Sequence, residues 1–344
     1  MRNVGITKLY YSYRAHEAFI RKDIASGFPA PILKKLYWWF HGFMSEKPIL
    51  YKMTPRNKKL FLSDRDAYLS RNVNQPFNEI LTNKYIFSQV VKGAVSTPRI
   101  FGLILRGEFT CEAGDDFFNL LQEKKRLVIK PVVGGGGKGV LIISADEGRG
   151  LRVNGRAVSS SELGAIISSL NDCIVSEFAE QGAFARSLNS STVNTMRVVT
   201  IRDPDSGCYF IAQAVQRIGV ATSQPMDNFS KGGLSANIDL ETGQLSSAMS
   251  HPKDLGHTRL KFHPDTQVAI EGQVIPNWSE LKDVIVSLAT SLPMLKYIGW
   301  DLLLTDDGLI AIEGNHHPDP DVLQCHGPLL RDERVAAFFQ SEGF

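Results

Sequence analysis

Cysteine is scarce in this chain: Cys111, Cys173, Cys208 and Cys325 are four residues among 344. None sits at the paired spacing of a zinc site. Scattered single thiols do not build a disulfide framework, so reduced cysteines in a cytoplasmic protein are the expectation. Long hydrophobic runs are lacking too. No apolar stretch reaches the length of a bilayer-spanning helix, and none reads as a signal peptide. Low-complexity segments and internal repeats are missing, and the formal net charge is only +2. Nothing in that balance calls for nucleic acid as a partner.

What is present is ordinary soluble-protein material, 43% hydrophobic and 22% charged. The length favours two or three subdomains over one core. The charge is unevenly spread. Residues 1–60 hold twelve Lys or Arg against three Asp or Glu, a balance of +9, so the remainder sums to −7. The same stretch holds eleven aromatics, dense around "PILKKLYWWFHGFM". There Leu33, Leu36, Tyr37, Phe40 and Met44 fall at helical spacing, with Lys34, Lys35 and Trp38 on the other side. Such a helix could lie on an anionic membrane or a nucleic acid, or simply pack on its own protein with the basic residues in water.

Near residue 76 the composition shifts. Residues 1–78 read as a basic, mainly helical segment broken by Pro29, Pro31, Pro48 and Pro55. An α+β alternation follows, divided here into 79–180 and 181–344. "NEILTNKYIFSQVVKG" reads as one helix ending at Gly93, and "RLVIKPV" and "GVLIIS" as strands. "LRVNGRAVS" reads as a hairpin on an Asn-Gly turn, and "SSSELGAIISSL" as a capped helix. Strands at "DCIVSEF" and on both sides of "DPDSG", a helix over Ser279–Leu292 and a final strand pair complete the pattern.

Four consecutive glycines, Gly134 to Gly137, lie between two strand-like runs in "VIKPVVGGGGKGVLII". Gly134, Gly136 and Gly139 satisfy G-x-G-x-x-G, yet a strand follows where a dinucleotide fold needs a helix. Lys138 is followed by Gly139, not by the Ser or Thr of a Walker A loop. A kinase glycine loop precedes its lysine and comes with HRD and DFG triplets, which this chain lacks. Two possibilities remain: a hairpin whose backbone N–H groups cover phosphate oxygens, with Lys130 entering from the preceding strand, or a slack hairpin tip.

The second feature is "IGWDLLLTDDGLIAIEGN". A three-residue loop, Asp306-Asp307-Gly308, sets Asp301 opposite Glu313 and Leu303 opposite Ala311. With a period of two, Asp301, Glu313 and Asn315 then share one face, and Leu302, Leu304, Ile310 and Ile312 share the core face. Two carboxylates and an amide oxygen suit a hard cation such as magnesium better than they suit an ordinary wet surface.

With these residues in view, the chain resembles the ATP-grasp enzymes, and more narrowly their sugar-transfer-associated group. The resemblance runs in order through "NKYIFSQVVKGAVSTP", "VIKPVVGGGGKGV", "IVSEFAEQ", "SSTVNTMRVVTI", "QRIG", "DNFSKGGLSANIDLETG", "IGWDLLLTDDG" and "IEGNHHPDPDVLQCHGPLL". It implies an α+β fold of two subdomains clasping ATP. Lys84 and Lys130 would neutralise the phosphates, and Lys138 with Gly134, Gly135, Gly136, Gly137 and Gly139 would close over them. Glu177 and Phe178 would meet the adenine and Glu180 the ribose. Arg197 and Arg217, after Asn194, would hold the transferred phosphoryl group, and Asp301, Glu313 and Asn315 would bind Mg2+.

The activity implied is ADP-forming ligation through an acyl phosphate, joining a small-molecule or glycan-precursor carboxylate to an amine. The same fold also serves kinases, and an ATP-binding scaffold is a third reading, disfavoured by the intact set of phosphoryl-binding cations. Residues 1–60 leave peripheral membrane contact open. Specificity would fall to Asn228–Gly233, the N-terminal segment and the loop with His316 and His317. Those histidines and His326 are expected to make local hydrogen bonds; adjacent histidines poorly match zinc spacings.

Overall fold

The strand-forming runs between residues 100 and 177 close into one antiparallel sheet, and those between 196 and 315 into another. In this computed structural model the described residues are 2–111, 114, 116–146, 148, 150–251 and 258–344, with 2–12 described as backbone alone. No helix among them is long and apolar enough to cross a membrane.

The first sheet is built from β1 (Ile100–Leu105), β2 (Glu108–Cys111), β3 (Arg126–Pro131), β4 (Leu141–Asp146), β5 (Gly150–Val153), β6 (Arg156–Ala157) and β7 (Cys173–Glu177). Its strand order is β2-β1-β7-β3-β4-β5-β6. Ile104, Leu127, Ile129, Ile143 and Val175 turn one face onto helices Phe117–Lys124 and Ser160–Ser168. The second helix begins where expected, because Ser159 and Glu162 form a reciprocal cap. The Asn154-Gly155 turn also forms, both residues having positive φ, 48° and 80°.

The second sheet contains β8 (Met196–Arg202), β9 (Tyr209–Ile218), β10 (Leu234–Asn237), β11 (Ala248–Ser250), β12 (Arg259–Leu260), β13 (Tyr297–Thr305) and β14 (Gly308–Asn315). Its order is β12-β11-β10-β9-β8-β13-β14. It is covered on both faces, which is why β8 and β13 read as nearly continuous apolar runs. On one face Val198, Trp300 and Leu302 pack with helix Trp278–Thr290 and with Leu81, Phe87 and Val91. On the other, Val199, Ile201 and Tyr297 meet Phe338 and Phe339 of helix Glu333–Ser341. Trp38, Leu50, Tyr51 and Phe61 of the N-terminal segment join that second core.

Polar bonds fasten the segment as well. Lys47 Nζ donates to both oxygens of Asp321 at 2.5 and 2.6 Å, with Asp64 at 3.4 Å and Glu46 at 3.8 Å. Burial alone would lower the lysine's pKa; these carboxylates outweigh it and hold the ammonium charged. Asn74 donates to the Tyr297 carbonyl at 2.6 Å and accepts from the Lys296 N–H at 2.8 Å. Leu62 and Gln324 exchange a pair of bonds at 2.8 and 3.0 Å.

Three local expectations are corrected. The single helix up to Gly93 is two, Glu79–Thr82 and Lys84–Val90, because the Asn83 side chain accepts the Tyr85 and Ile86 N–H groups and caps the second. In helix Ile32–Phe40 the buried residue is Trp38, while Leu33 and Phe40 are 78% and 79% exposed. In the final hairpin Thr305 already pairs with Gly308, so Leu303 faces Ile310, not Ala311. A one-residue shift at Ile312 then restores Asp301 opposite Glu313. The core residues of β14 are therefore Leu309 and Ala311, not Ile310 and Ile312. Such a bulge re-aims a side chain, and here it turns Glu313 out of the core.

Candidate active site

A cleft of about 400 Å³ lies between the two sheets. Lys130 and the loop Gly134–Lys138 form one wall, and Glu177 and Phe178 also line the cleft. Arg197 of β8, Arg217 of β9, Asp301 of β13 and Glu313 and Asn315 of β14 form the opposite wall. Gly139 and Glu180 are not part of this lining. Glu180 instead accepts from Arg126 Nη1 at 2.6 Å, and the same guanidinium lies 3.9 Å over the Phe178 ring. A larger groove of about 1410 Å³, lined by Lys92, Arg99 and Phe101 among others, contains none of the proposed phosphate or cation ligands.

The glycines answer to backbone geometry. Gly136 and Gly137 have φ of 66° and 67°, which side chains rarely adopt. The loop reaches the opposite wall, where Asn228 Nδ2 donates to the Gly136 carbonyl at 3.4 Å. Lys84 joins the two walls: its Nζ donates to the Gly134 carbonyl at 2.7 Å and lies 3.7 Å from Glu313 Oε2. Burial pulls the Lys130 pKa down to about 8, with Glu313 opposing and Lys84 adding to the fall.

Asp301 is held by two arginines. Arg197 Nε donates to Oδ1 at 2.5 Å and Arg217 Nη2 to Oδ2 at 2.9 Å. Burial would raise its pKa, but the two guanidinium groups keep it below the usual carboxylate value. Arg217 also donates to Thr195 Oγ1, which in turn donates to Asp227 Oδ2 at 2.6 Å. Thr195 and Asp227 went unrecognised because residues 32 positions apart carry no spacing signal. Asn194 is structural: its Nδ2 donates to the Asn189 carbonyl at 2.6 Å and its Oδ1 accepts the Gly219 N–H at 3.0 Å.

Glu313 differs from Asp301. Burial pushes its carboxyl above the usual value and Asp301 pushes the same way, against Lys84 and Arg197. A divalent cation would relieve that burden, and the Asn315 amide oxygen on the same wall is a second hard donor. The donor set therefore fits magnesium, with Asp301 already committed to its arginines.

His317 reaches the cleft with Nδ1 3.5 Å from Ser70 Oγ, and burial lowers its pKa to about 4. His326 Nε2 is 2.9 Å from Ser235 Oγ and is lowered by burial to about 3. Both engage in local hydrogen bonding.

Residues 63–335 match the family described as sugar-transfer associated ATP-grasp, well over half of the chain. No curated protein matches. Among solved structures, the ADP complex of purK, N5-carboxyaminoimidazole ribonucleotide synthetase, is 13% identical, with TM-score 0.40 over 70% of this chain and 45% of that one. The ATP-grasp ligase PsnB with minimal precursor, Mg and ADP is 16% identical, with TM-score 0.37 over 78% and 62%. VanG D-Ala:D-Ser ligase from Enterococcus faecalis is 13% identical, with TM-score 0.40 over 75% and 61%. The chain thus spans less than two thirds of the length of each.

Proposed function

This chain belongs to the sugar-transfer associated ATP-grasp family, and from that premise we propose a cytoplasmic, ATP- and magnesium-dependent ligase that joins a carboxylate to an amine. The observation that carries the proposal is the cleft itself. Lysines and a glycine loop on one wall face two arginines, a carboxylate with a raised pKa and an amide on the other.

In this scheme residues 79–180 are the lid unit and 181–344 the base. Phe178 and Glu177 receive the adenine, while Lys84, Lys130 and Lys138 neutralise the phosphates beneath the loop. Arg197 spends its Nε on Asp301, leaving its terminal N–H groups for the transferred phosphoryl oxygens. A substrate carboxylate oxygen attacks the γ-phosphorus, the bond to the ADP oxygen breaks, and an acyl phosphate forms. An amine nitrogen then attacks the carbonyl carbon; phosphate leaves with the bonding pair, and the nitrogen loses one proton to water or a nearby base. The protein's work is positioning and charge neutralisation, so no histidine triad is required. Magnesium at Glu313 and Asn315 would offset phosphate charge. The carboxylate is a small molecule or a glycan precursor, recognised by Asn228–Gly233 and the His317 loop.

An assay with pooled carboxylates and amines tests this. The expected products are ADP and free phosphate in equal amounts together with an amide. ADP with a stable phosphorylated product would replace the ligase by a kinase, and nucleotide binding without turnover would replace it by a regulatory protein.

A further inference from the structure

We propose that the exposed face of helix Ile32–Phe40 is an interfacial anchor that seats this protein on an anionic lipid bilayer. Ile32, Leu33, Leu36, Tyr37 and Phe40 form one stripe of the helix, exposed at 62%, 78%, 51%, 37% and 79%. Large apolar side chains grouped in this way on a surface mark an interaction site.

The helix cannot roll to hide them. Trp38 on its opposite side is buried against Phe43, ring centroids 6.2 Å apart. Trp39 Nε1 donates to the buried carboxylate of Asp23 at 2.7 Å. The apolar stripe is therefore presented outward by the same contacts that fix the helix.

Charge identifies the occupant. Between Ile24 and Phe61 the sequence contains Lys34, Lys35, Lys47, Lys52, Arg56, Lys58 and Lys59 and a single acid, Glu46. Lys47 and Glu46 are buried, so the exposed charge of this stretch is positive throughout. Lys58 ties the second basic run to the stripe: its Nζ donates to Tyr37 Oη at 2.8 Å and lies 5.2 Å from that ring. An apolar face in a stretch whose exposed charges are all positive matches acyl chains under negative headgroups. A second copy of the same surface would bring like charges together, which disfavours a dimer. The surface stands independently of the ligase chemistry.

The test is sedimentation of the full-length protein with phosphatidylcholine vesicles made with and without phosphatidylglycerol. Binding should require phosphatidylglycerol and weaken as salt is raised. Leu33→Glu with Phe40→Glu should reduce the partition coefficient on the order of ten-fold or more. Both positions are exposed, so the melting temperature should stay unchanged. Lys34→Glu with Lys59→Glu should reduce binding several-fold through charge alone. Absence of binding to phosphatidylglycerol vesicles, or binding that survives Leu33→Glu with Phe40→Glu, would overturn the proposal. So would a dimer abolished by that variant in a protein that ignores vesicles.

Discussion

Two buried charge clusters lie on the same side of the second sheet, one around Lys47 and one around Asp301. The Lys47 cluster is closed off from the cleft: one ammonium meets three carboxylates, Tyr51 adds a 2.5 Å bond to Asp321, and none of these residues lines the cleft. The Asp301 cluster is open. Two guanidinium groups meet Asp301 and Asp227, and their neighbour Glu313 faces the cleft with its pKa raised. Burial of charge is common to both. Burial raises the Asp64 carboxyl as it raises that of Glu313, so what separates fastening from chemistry is whether the charged groups line the cleft where a partner can reach them.

The sharpest way to break the comparison is to remove one cation from each cluster. Arg197→Met should cut turnover on the order of 10³-fold, because a phosphoryl group in transit loses a charge contact. Its melting temperature should fall less than that of Lys47→Met, since Arg217 still holds Asp301. Lys47→Met should cost about 3–5 kcal/mol of unfolding free energy in urea titration, with three carboxylates left in the interior. Equal stability losses in the two variants would erase the distinction.

Glu313→Gln should weaken magnesium-dependent nucleotide binding on the order of ten-fold by calorimetry, with metal-free nucleotide binding little changed. Asn315→Ala should be milder, because water can replace a neutral oxygen.

The smallest effect concerns pH. Lys130, with its pKa at about 8, is charged below that value and neutral above it in the free enzyme. The KM for ATP should therefore rise as pH passes 8, and Lys130→Arg should flatten the profile. Between 8 and the usual lysine range the unfolded chain binds the extra proton, so stability should increase with pH across that window.

Much of the open cluster was legible in the sequence. Asp301 and Glu313 are paired by a short turn, and Lys130 precedes its loop by four residues, so local spacing carries the information. The pairing was anticipated through the wrong turn, since a bulge at Ile312 does what the loop length was expected to do. The closed cluster was illegible: Lys47 and Asp321 are 274 positions apart, and neither sits in a pattern. The break at Asn83 was missed because its side chain caps inward from the middle of an otherwise helical run. Helix Ile32–Phe40 was correctly seen as amphipathic, but its tryptophan, not its leucines, turned inward.

The bond between Lys47 and Asp321 also sets a clock on synthesis. At roughly 5–20 residues per second, the 274 residues separating them take about 14–55 s to translate. Until β8 and β9 are made, Trp38, Leu50, Tyr51 and Phe61 have no partner strand, and their core stays incomplete until β13 and the turn at Asp321 follow. The nascent chain must carry this basic, aromatic-rich segment incompletely packed until Asp321 emerges. Holdase chaperones bind unfolded chains of this kind, and delayed acquisition of protease resistance at Lys52, Arg56 and Lys59 during cell-free translation would report the wait.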